Sequence, residues 1–130
     1  MEILIQDVNW VSVVVGASLS FGMGWLWYSD MLFGKVWRDG ISIDFSNPPN
    51  PRPMWQPMLA QAGSTFMFAW VIVLIISASH IYLAILVTLT IAGFTKANGM
   101  FAQKDNYAIS VDVGYILAMF AVVIAANAIL

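Results

Sequence analysis

The chain has 130 residues, of which 61% are hydrophobic and only 9% are charged, and its formal net charge is −2. A soluble domain carries about a quarter charged residues, so this composition excludes an ordinary water-exposed globular domain. The 5 basic residues form no patch, which argues against nucleic-acid binding, and the lack of cysteine excludes disulfides and thiolate metal sites.

Long stretches without charge divide the sequence into membrane-length segments. No acidic or basic residue lies between Asp7 and Asp30 or between Arg52 and Lys96, and the last 24 or so positions contain only Asp112. A bilayer core about 30 Å thick takes about 20 helical residues to cross, so these stretches fit one, two and one crossings. The sequence therefore predicts a single-domain, all-α integral membrane four-helix bundle, with helices at about 9–28, 55–77, 81–100 and 107–129.

The first predicted helix carries tryptophans near both ends and a stripe of small residues. Trp10 and Trp27 are separated by about 26 Å of helix, which matches one tryptophan at each membrane interface. Gly16, Ser20 and Gly24 recur every four residues and would let another helix approach closely. The approaching helix could belong to the same chain, which we favour, or to a second chain.

A short amphipathic segment is predicted at about 30–39, directly after this helix. Ser29 is predicted as its N-cap, and Asp30 as an acidic first position that the helix dipole favours. A helical arrangement places four apolar side chains on one face, which suits a segment lying in the membrane interface. These side chains belong to Leu32, Phe33, Val36 and Trp37.

The proline-rich connection at about 40–54 is predicted to follow an extended path along the membrane surface. Lys35, Arg38 and Arg52 lie in or next to this first connection, and Lys104 lies in the third. The N-terminal segment, the C-terminus and the 77–80 turn contain no lysine or arginine. The positive-inside rule then places both basic connections in the cytoplasm and both termini outside it.

Lys96 and Asp112 form the predicted polar pair inside the membrane. Each lies eight residues from a hairpin turn centred on Lys104, so both are about 12 Å deep on neighbouring helices. Intramembrane charges usually pair, and this pair would serve either as a proton or ion relay or as a structural salt bridge. Nearby polar side chains that could join it are Asn98, Tyr115 and Gln61.

The segment around the end of helix one, "GWLWYSDMLFGKVW", resembles the signature of a family of small bacterial membrane proteins catalogued as domain of unknown function 1761. That signature reads roughly WYS-P-x-LFGK-x-W, and Asp30 departs from its proline. Later segments, "AGFTKANGMF" and "SVDVGYILAMF", are similar to the family's third and fourth helices and include Asp112, Gly114 and Tyr115. The residues that match the signature are Trp27, Tyr28, Ser29, Leu32, Phe33, Gly34, Lys35 and Trp37. The resemblance implies four membrane helices and no established activity.

The functional prediction is a non-enzymatic protein of the inner (plasma) membrane of a bacterium. Besides the lipid bilayer, its expected partners are further copies of itself or other membrane subunits, as a homo-oligomer or as an accessory subunit of a complex. One alternative is a small transporter or channel with a polar path through Lys96 and Asp112. Another is a membrane enzyme acting on a lipid or quinone near Tyr28. No cofactor or metal is expected, because the lone His80 has no histidine or cysteine partner.

Overall fold

The computed structural model describes residues 2–41 and 43–130, which form six helices and no strand. The helices are α1 (Glu2–Ile5), α2 (Trp10–Trp27), α3 (Gly34–Gly40), α4 (Trp55–Ser77), α5 (Ile81–Phe101) and α6 (Asn106–Ile129). The all-α prediction is confirmed. Helices α2, α4, α5 and α6 are long and apolar enough to cross a membrane, as expected for a multi-pass membrane protein. Their bounds differ from the predicted ones by no more than one residue.

The four long helices pack as a bundle in which α6 contacts all the others. Helix α2 packs against α4 and α6, and α5 packs against the same two helices. By chain order, α3, the connection at 43–54 and the α5–α6 turn lie at one end of the bundle, which we call the α3 end. The shared core consists of Val13, Ala17, Phe68, Ala69, Ile72, Val73, Ala84, Tyr115, Met119 and Val123. Many other large apolar side chains face outward, as expected where the surroundings are lipid.

The small-residue stripe of α2 faces α6 of the same chain. A Cβ atom added at Gly16 would lie 3.4 Å from Val123 Cγ2, which is ordinary packing distance. The carbonyl of Ser20 accepts a 2.6 Å hydrogen bond from the Tyr115 hydroxyl. A Cβ atom at Gly24 would lie 2.6 Å from the same hydroxyl oxygen. The stripe was predicted to face a helix of the same chain or of a second chain, and in the structure it faces a helix of the same chain.

The chain leaves α2 through a compact turn, and the predicted role of Ser29 in that turn is wrong. The Ser29 hydroxyl donates a 2.7 Å hydrogen bond to the Leu26 carbonyl, so it closes the end of α2 instead of capping the next helix. Phe33 occupies the N-cap position of α3 and makes no side-chain capping bond. Its backbone N–H bonds back to the Trp27 carbonyl at 3.0 Å. The amphipathic helix thus begins at Gly34, later than the predicted 30.

Helix α3 is fastened to the bundle at both of its ends. A Cβ atom at Gly34 would overlap the Tyr28 carbonyl oxygen, so only glycine fits this close approach. At the other end, the Asp105 N–H donates a 2.8 Å hydrogen bond to the Gly40 carbonyl. Leu32 and Val36 remain 46% and 42% exposed. The segment therefore packs on α6 while part of its apolar surface stays open.

Helix α1 was not predicted from the sequence, and it is held at the end of the bundle opposite α3. The Leu4 carbonyl accepts a 2.8 Å hydrogen bond from Trp70 Nε1. The ring of Trp70 also lies 5.3 Å from that of Trp10. This aromatic pair anchors the N-terminal segment to α2 and α4.

Candidate functional site

Asp112, in the second turn of α6, is the centre of a polar network at the α3 end. One carboxylate oxygen accepts a 2.6 Å hydrogen bond from the Tyr28 hydroxyl. The other accepts a 3.1 Å hydrogen bond from Lys104 Nζ, and the Lys104 and Asp112 side chains are 27% and 16% exposed. Each oxygen has a donor, and Lys104 balances the negative charge. The network joins the end of α2 and the α5–α6 turn to α6.

The structure corrects the predicted pairing of Lys96 with Asp112. Lys96 is exposed on α5, and Lys104 takes its place as the ion-pair partner. The buried stripe of α5 runs through Ala84, Thr88, Ala92 and Gly99 and leaves Lys96 to one side. Lys96 lies one turn from Ala92, at the edge of this stripe, and its side chain is exposed. Asn98 is likewise exposed.

Aromatic rings from the signature segment surround the Asp112 network. The Tyr28 ring packs edge-on against Trp37, at 5.4 Å between centroids, and against Tyr115, at 5.6 Å. Lys104 Nζ lies 5.9 Å from the centroid of the Trp37 ring, within the range of a cation–π contact. The signature residues thus place two aromatic rings beside the buried carboxylate.

Trp27 has a more specific role than marking a membrane interface. Its Nε1 donates a 3.0 Å hydrogen bond to the Val111 carbonyl, and its ring lies against Gly114. Trp27 therefore joins α2 to α6 at the residues on either side of Asp112. The neighbouring Trp25, which is 71% exposed, is the residue that faces outward.

A cavity of about 640 Å³ lies beside this network, between α2, α3, α6 and the start of α4. Its volume falls in the range of roughly 300–1,000 Å³ that is typical of small-molecule sites. Most of its wall is aromatic or aliphatic, with polar groups from a few side chains. The lining residues are Phe21, Gly24, Trp25, Tyr28, Trp37, Met54, Pro57, Met58, Gln61, Asp112 and Tyr115.

The polar groups that line the cavity differ in whether they already have hydrogen-bond partners. The hydroxyls of Tyr28 and Tyr115 donate to Asp112 and to the Ser20 carbonyl. Gln61 makes a long 3.4 Å hydrogen bond to Thr65. The Nε1–H of Trp37 is buried and has no acceptor among the described residues. The tyrosine hydroxyls at the cavity are therefore engaged within the protein, and both oxygens of Asp112 are occupied.

Burial, and then the hydrogen bond to the Asp112 carboxylate, raise the pKa of Tyr28 above its ordinary value. Tyr28 therefore remains a neutral hydrogen-bond donor at physiological pH. This keeps the end of α2 attached to α6 and keeps one oxygen of Asp112 occupied.

The remaining predicted residues lie away from the cavity lining. Asp30 forms an ion pair with Arg38 on the surface, and Lys35 is exposed on α3. The described residues contain no group of three or more side chains suited to a metal ion. Residues that sequence reasoning missed at this site are Lys104, Phe21, Trp25, Met54, Pro57 and Met58. For Lys104 a signal existed, because it lies in the short turn two residues before the helix that carries Asp112.

No curated protein and no solved structure matches the chain. The family described as "Protein of unknown function (DUF1761)" matches residues 11–126, in agreement with the resemblance seen in the signature segment. The chain therefore belongs to this family of proteins of unknown function.

Proposed function

We propose that this membrane protein binds a small amphipathic molecule taken from the bilayer and that it does so without catalysing a reaction. The observation that carries the proposal is the 640 Å³ cavity, whose apolar wall surrounds a few polar groups next to Asp112. A site of this kind suits a molecule with an apolar body and a polar end, because each part meets matching surroundings.

The position of the cavity supports entry from the membrane. Trp25 and Met54 line it and are also 71% and 73% exposed, so the cavity opens at the outer surface of α2 and α4. In a bilayer the outer surface of α2 faces lipid. A ligand dissolved in the membrane can then enter sideways without crossing water.

The arrangement of the polar groups favours binding over catalysis. Tyr28 and Lys104 both donate hydrogen bonds to Asp112, so Asp112 would have to lose one of them before it could act as a general base. Asp30, another candidate base for an enzyme acting on a lipid or quinone, is paired with Arg38 on the surface. A transport path through Lys96 and Asp112 is not favoured either, since Lys96 is exposed and Asp112 is paired with Lys104.

The ligand-binding proposal is tested by filling the cavity. Met58→Trp adds volume at a residue that lines the cavity, and Met67→Trp makes the same change on the exposed face of the same helix. Addition of a lipid extract from the native membrane should raise the unfolding temperature of the wild type and of Met67→Trp, because a ligand stabilises the state that binds it. Met58→Trp should show no such rise. An equal rise in all three proteins would contradict the proposal.

Association with other subunits is a second candidate, and the outer surface of α5 favours it. A Cβ atom at Gly93 would meet no atom within 4 Å, and Leu89 and Phe94 beside it are 54% and 68% exposed. A second copy of the chain or another membrane subunit would find room for close packing there. Gly93→Leu should then lower the oligomer mass measured in nanodiscs. A monomeric mass for both the wild type and Gly93→Leu would contradict association.

For localisation we propose the inner membrane of a bacterium, with both termini outside the cytoplasm. All five basic residues lie in the half of the bundle nearest α3, and none is found near the opposite end. Because the chain lacks cysteine, single cysteines at Asn47 and Ser79 report orientation directly. An impermeant maleimide added outside intact cells should label Ser79→Cys and spare Asn47→Cys. The reverse pattern would contradict the orientation.

A further inference from the structure

We propose that the molecule bound in the cavity is a membrane lipid held by one acyl chain, with its polar head group left outside at the cavity mouth. This inference rests on the proposed binding function and names the part of the ligand that enters. It follows from three features of the cavity, which are its engaged polar groups, its direction relative to the membrane and its flexible apolar wall.

The charged centre of the cavity is already satisfied within the protein. Among the described residues of the lining, Asp112 is the one charged side chain, and its two oxygens accept from the Tyr28 hydroxyl and from Lys104. A cationic head group inside the cavity would compete with Lys104 for the carboxylate, and an anionic one would be repelled by it. Both cases carry an electrostatic penalty in a site screened from water. A hydrocarbon chain leaves the ion pair intact.

The remaining polar side chains of the lining are engaged or enclosed as well. The Tyr115 hydroxyl donates to the Ser20 carbonyl, and Gln61 hydrogen-bonds to both Tyr115 and Thr65. The Nε1–H of Trp37 is enclosed by the protein and does not face the open volume. A head group that entered would give up hydrogen bonds to water and meet groups that are already engaged, which costs free energy. The polar groups therefore favour hydrocarbon inside the cavity.

The cavity runs inward from the membrane interface, in the direction that lipid chains take. Its mouth lies near two helix ends, because Trp25 is two residues from the end of α2 and Met54 directly precedes α4. Its inner part reaches Gln61, which lies about 10 Å of helix beyond Met54, and Phe21, about 6 Å before Trp25. Half of a bilayer core is about 15 Å thick. A chain that hangs from a head group at the interface therefore enters the cavity without turning.

The apolar wall suits a flexible chain. Phe21 and Trp25 supply aromatic surface, and Met54 and Met58 supply unbranched side chains with three rotatable bonds each. Methionine side chains adapt to irregular shapes, so they close around chains that bend differently. Because the bilayer is as apolar as this wall, packing against the wall decides binding, and acyl chains are the hydrocarbon present there at the highest concentration. An acyl chain is therefore the occupant that the wall favours.

The inference is tested by photocrosslinking of the full chain in nanodiscs. Two phosphatidylcholine probes carry the same diazirine, one halfway along an acyl chain and the other on the head group. After illumination, mass spectrometry locates the labelled residues. Phe21 and Gln61 report on the inner part of the cavity, and Trp25 and Met54 report on its mouth.

The chain probe should label Phe21 or Gln61 in the wild type, and the head-group probe should label the mouth and leave both inner residues unlabelled. Met58→Trp, which fills the cavity, should lose the inner labelling, and Met67→Trp on the exposed face of α4 should keep it. Circular dichroism checks that both variants are folded. The comparison of the two probes is made within the wild type and does not depend on either variant.

Inner labelling by the head-group probe that equals or exceeds that of the chain probe would overturn the inference and leave the binding function standing. Inner labelling that persists in folded Met58→Trp would overturn it too, because the chain would then lie outside the cavity. The inference also fails if neither probe labels the inner residues. In that case the binding function stands if the lipid extract still stabilises the wild type and not Met58→Trp, and it falls if the extract stabilises neither.

Discussion

The Tyr28 hydroxyl and an Asp112 carboxylate oxygen lie 2.6 Å apart and join the end of α2 to the second turn of α6. Together with Lys104 on the other oxygen, this contact makes Asp112 the point at which three parts of the α3 end are tied together. The stability of that end, and with it the shape of the cavity, depends on the carboxylate.

Asp112→Asn should destabilise the protein substantially. The amide cannot accept from both Tyr28 and Lys104, and the Lys104 charge loses its partner. We expect the free energy of unfolding to fall by about 1.5–3 kcal/mol, the range for hydrogen bonds that involve a charged group. The measurement is unfolding in mixed micelles, with Asp39→Asn on the exposed surface of α3 as the control. Equal stability of the two variants would show that the network contributes little.

The two lysines near Asp112 should differ sharply when each is replaced by methionine. Lys104→Met removes the cation that balances a mostly buried carboxylate and should lower stability by about 1–3 kcal/mol. Lys96→Met changes an exposed side chain and should stay within about 0.5 kcal/mol of the wild type. The same unfolding assay distinguishes them. A larger effect of Lys96→Met would restore the pairing expected from sequence.

Gly24→Ala should be destabilising where Gly16→Ala is tolerated. The new Cβ at Gly24 would lie 2.6 Å from the Tyr115 hydroxyl oxygen, whereas at Gly16 the nearest atom is 3.4 Å away. Overpacking of this kind costs about 1–3 kcal/mol. Adding Tyr115→Phe removes the oxygen, so the double variant should lose less stability than the sum of the single variants. If the stability losses of the two single variants simply add, α2 and α6 move apart to make room for the new Cβ atom instead of clashing at the Tyr115 hydroxyl.

Gly40→Ala should loosen α3 from the bundle. Its Cβ would overlap the Asp105 carboxylate and approach the Ala108 Cβ to 2.6 Å, at the point where α3 joins α6. Backbone amides of α3 should then exchange hydrogen faster. Gly63→Ala is the matched control, since its Cβ would meet nothing within 4 Å. Unchanged exchange in Gly40→Ala would show that α3 is not held by this contact.

The raised pKa of Tyr28 makes a prediction at alkaline pH. Because the folded-state pKa lies above the unfolded-state value of about 10, the stabilisation from neutral Tyr28 is complete below that pH and declines as the pH rises further. In the folded protein at pH of about 11, wild type and Tyr28→Phe should therefore show nearly the same tyrosinate absorbance. If the tyrosinate absorbance of the wild type exceeded that of Tyr28→Phe by the contribution of one ionised tyrosine, the burial of this hydroxyl would be contradicted.

The four long helices were predictable because the property that defines them is local. A charge-free run of sufficient length is recognised without knowing any neighbour, and the first such run, between Asp7 and Asp30, contains α2. The family resemblance was recognisable for a similar reason, since its signature lies within one short stretch.

The partners of individual side chains were not predictable in the same way. Counting residues from the hairpin turn gave Lys96 and Asp112 equal depth, but the rotation of α5 decides which side chain faces α6. Ser29 followed by Asp30 fits an N-cap locally, yet the Ser29 hydroxyl bonds backward to the Leu26 carbonyl, and α3 begins only at Gly34. The cavity is less predictable still. Its wall combines residues from α2, α3, α4 and α6, and no local pattern brings Trp37 and Met58 to the same cavity.

The central claim is that the cavity beside Asp112 holds a molecule from the membrane, and native mass spectrometry of the protein released from its own membrane tests it most directly. The wild type and Met67→Trp should carry one bound species of constant mass, and Met58→Trp, with its cavity filled, should not carry it. Retention of the same species by Met58→Trp, or a wild type without any bound species, would contradict the account.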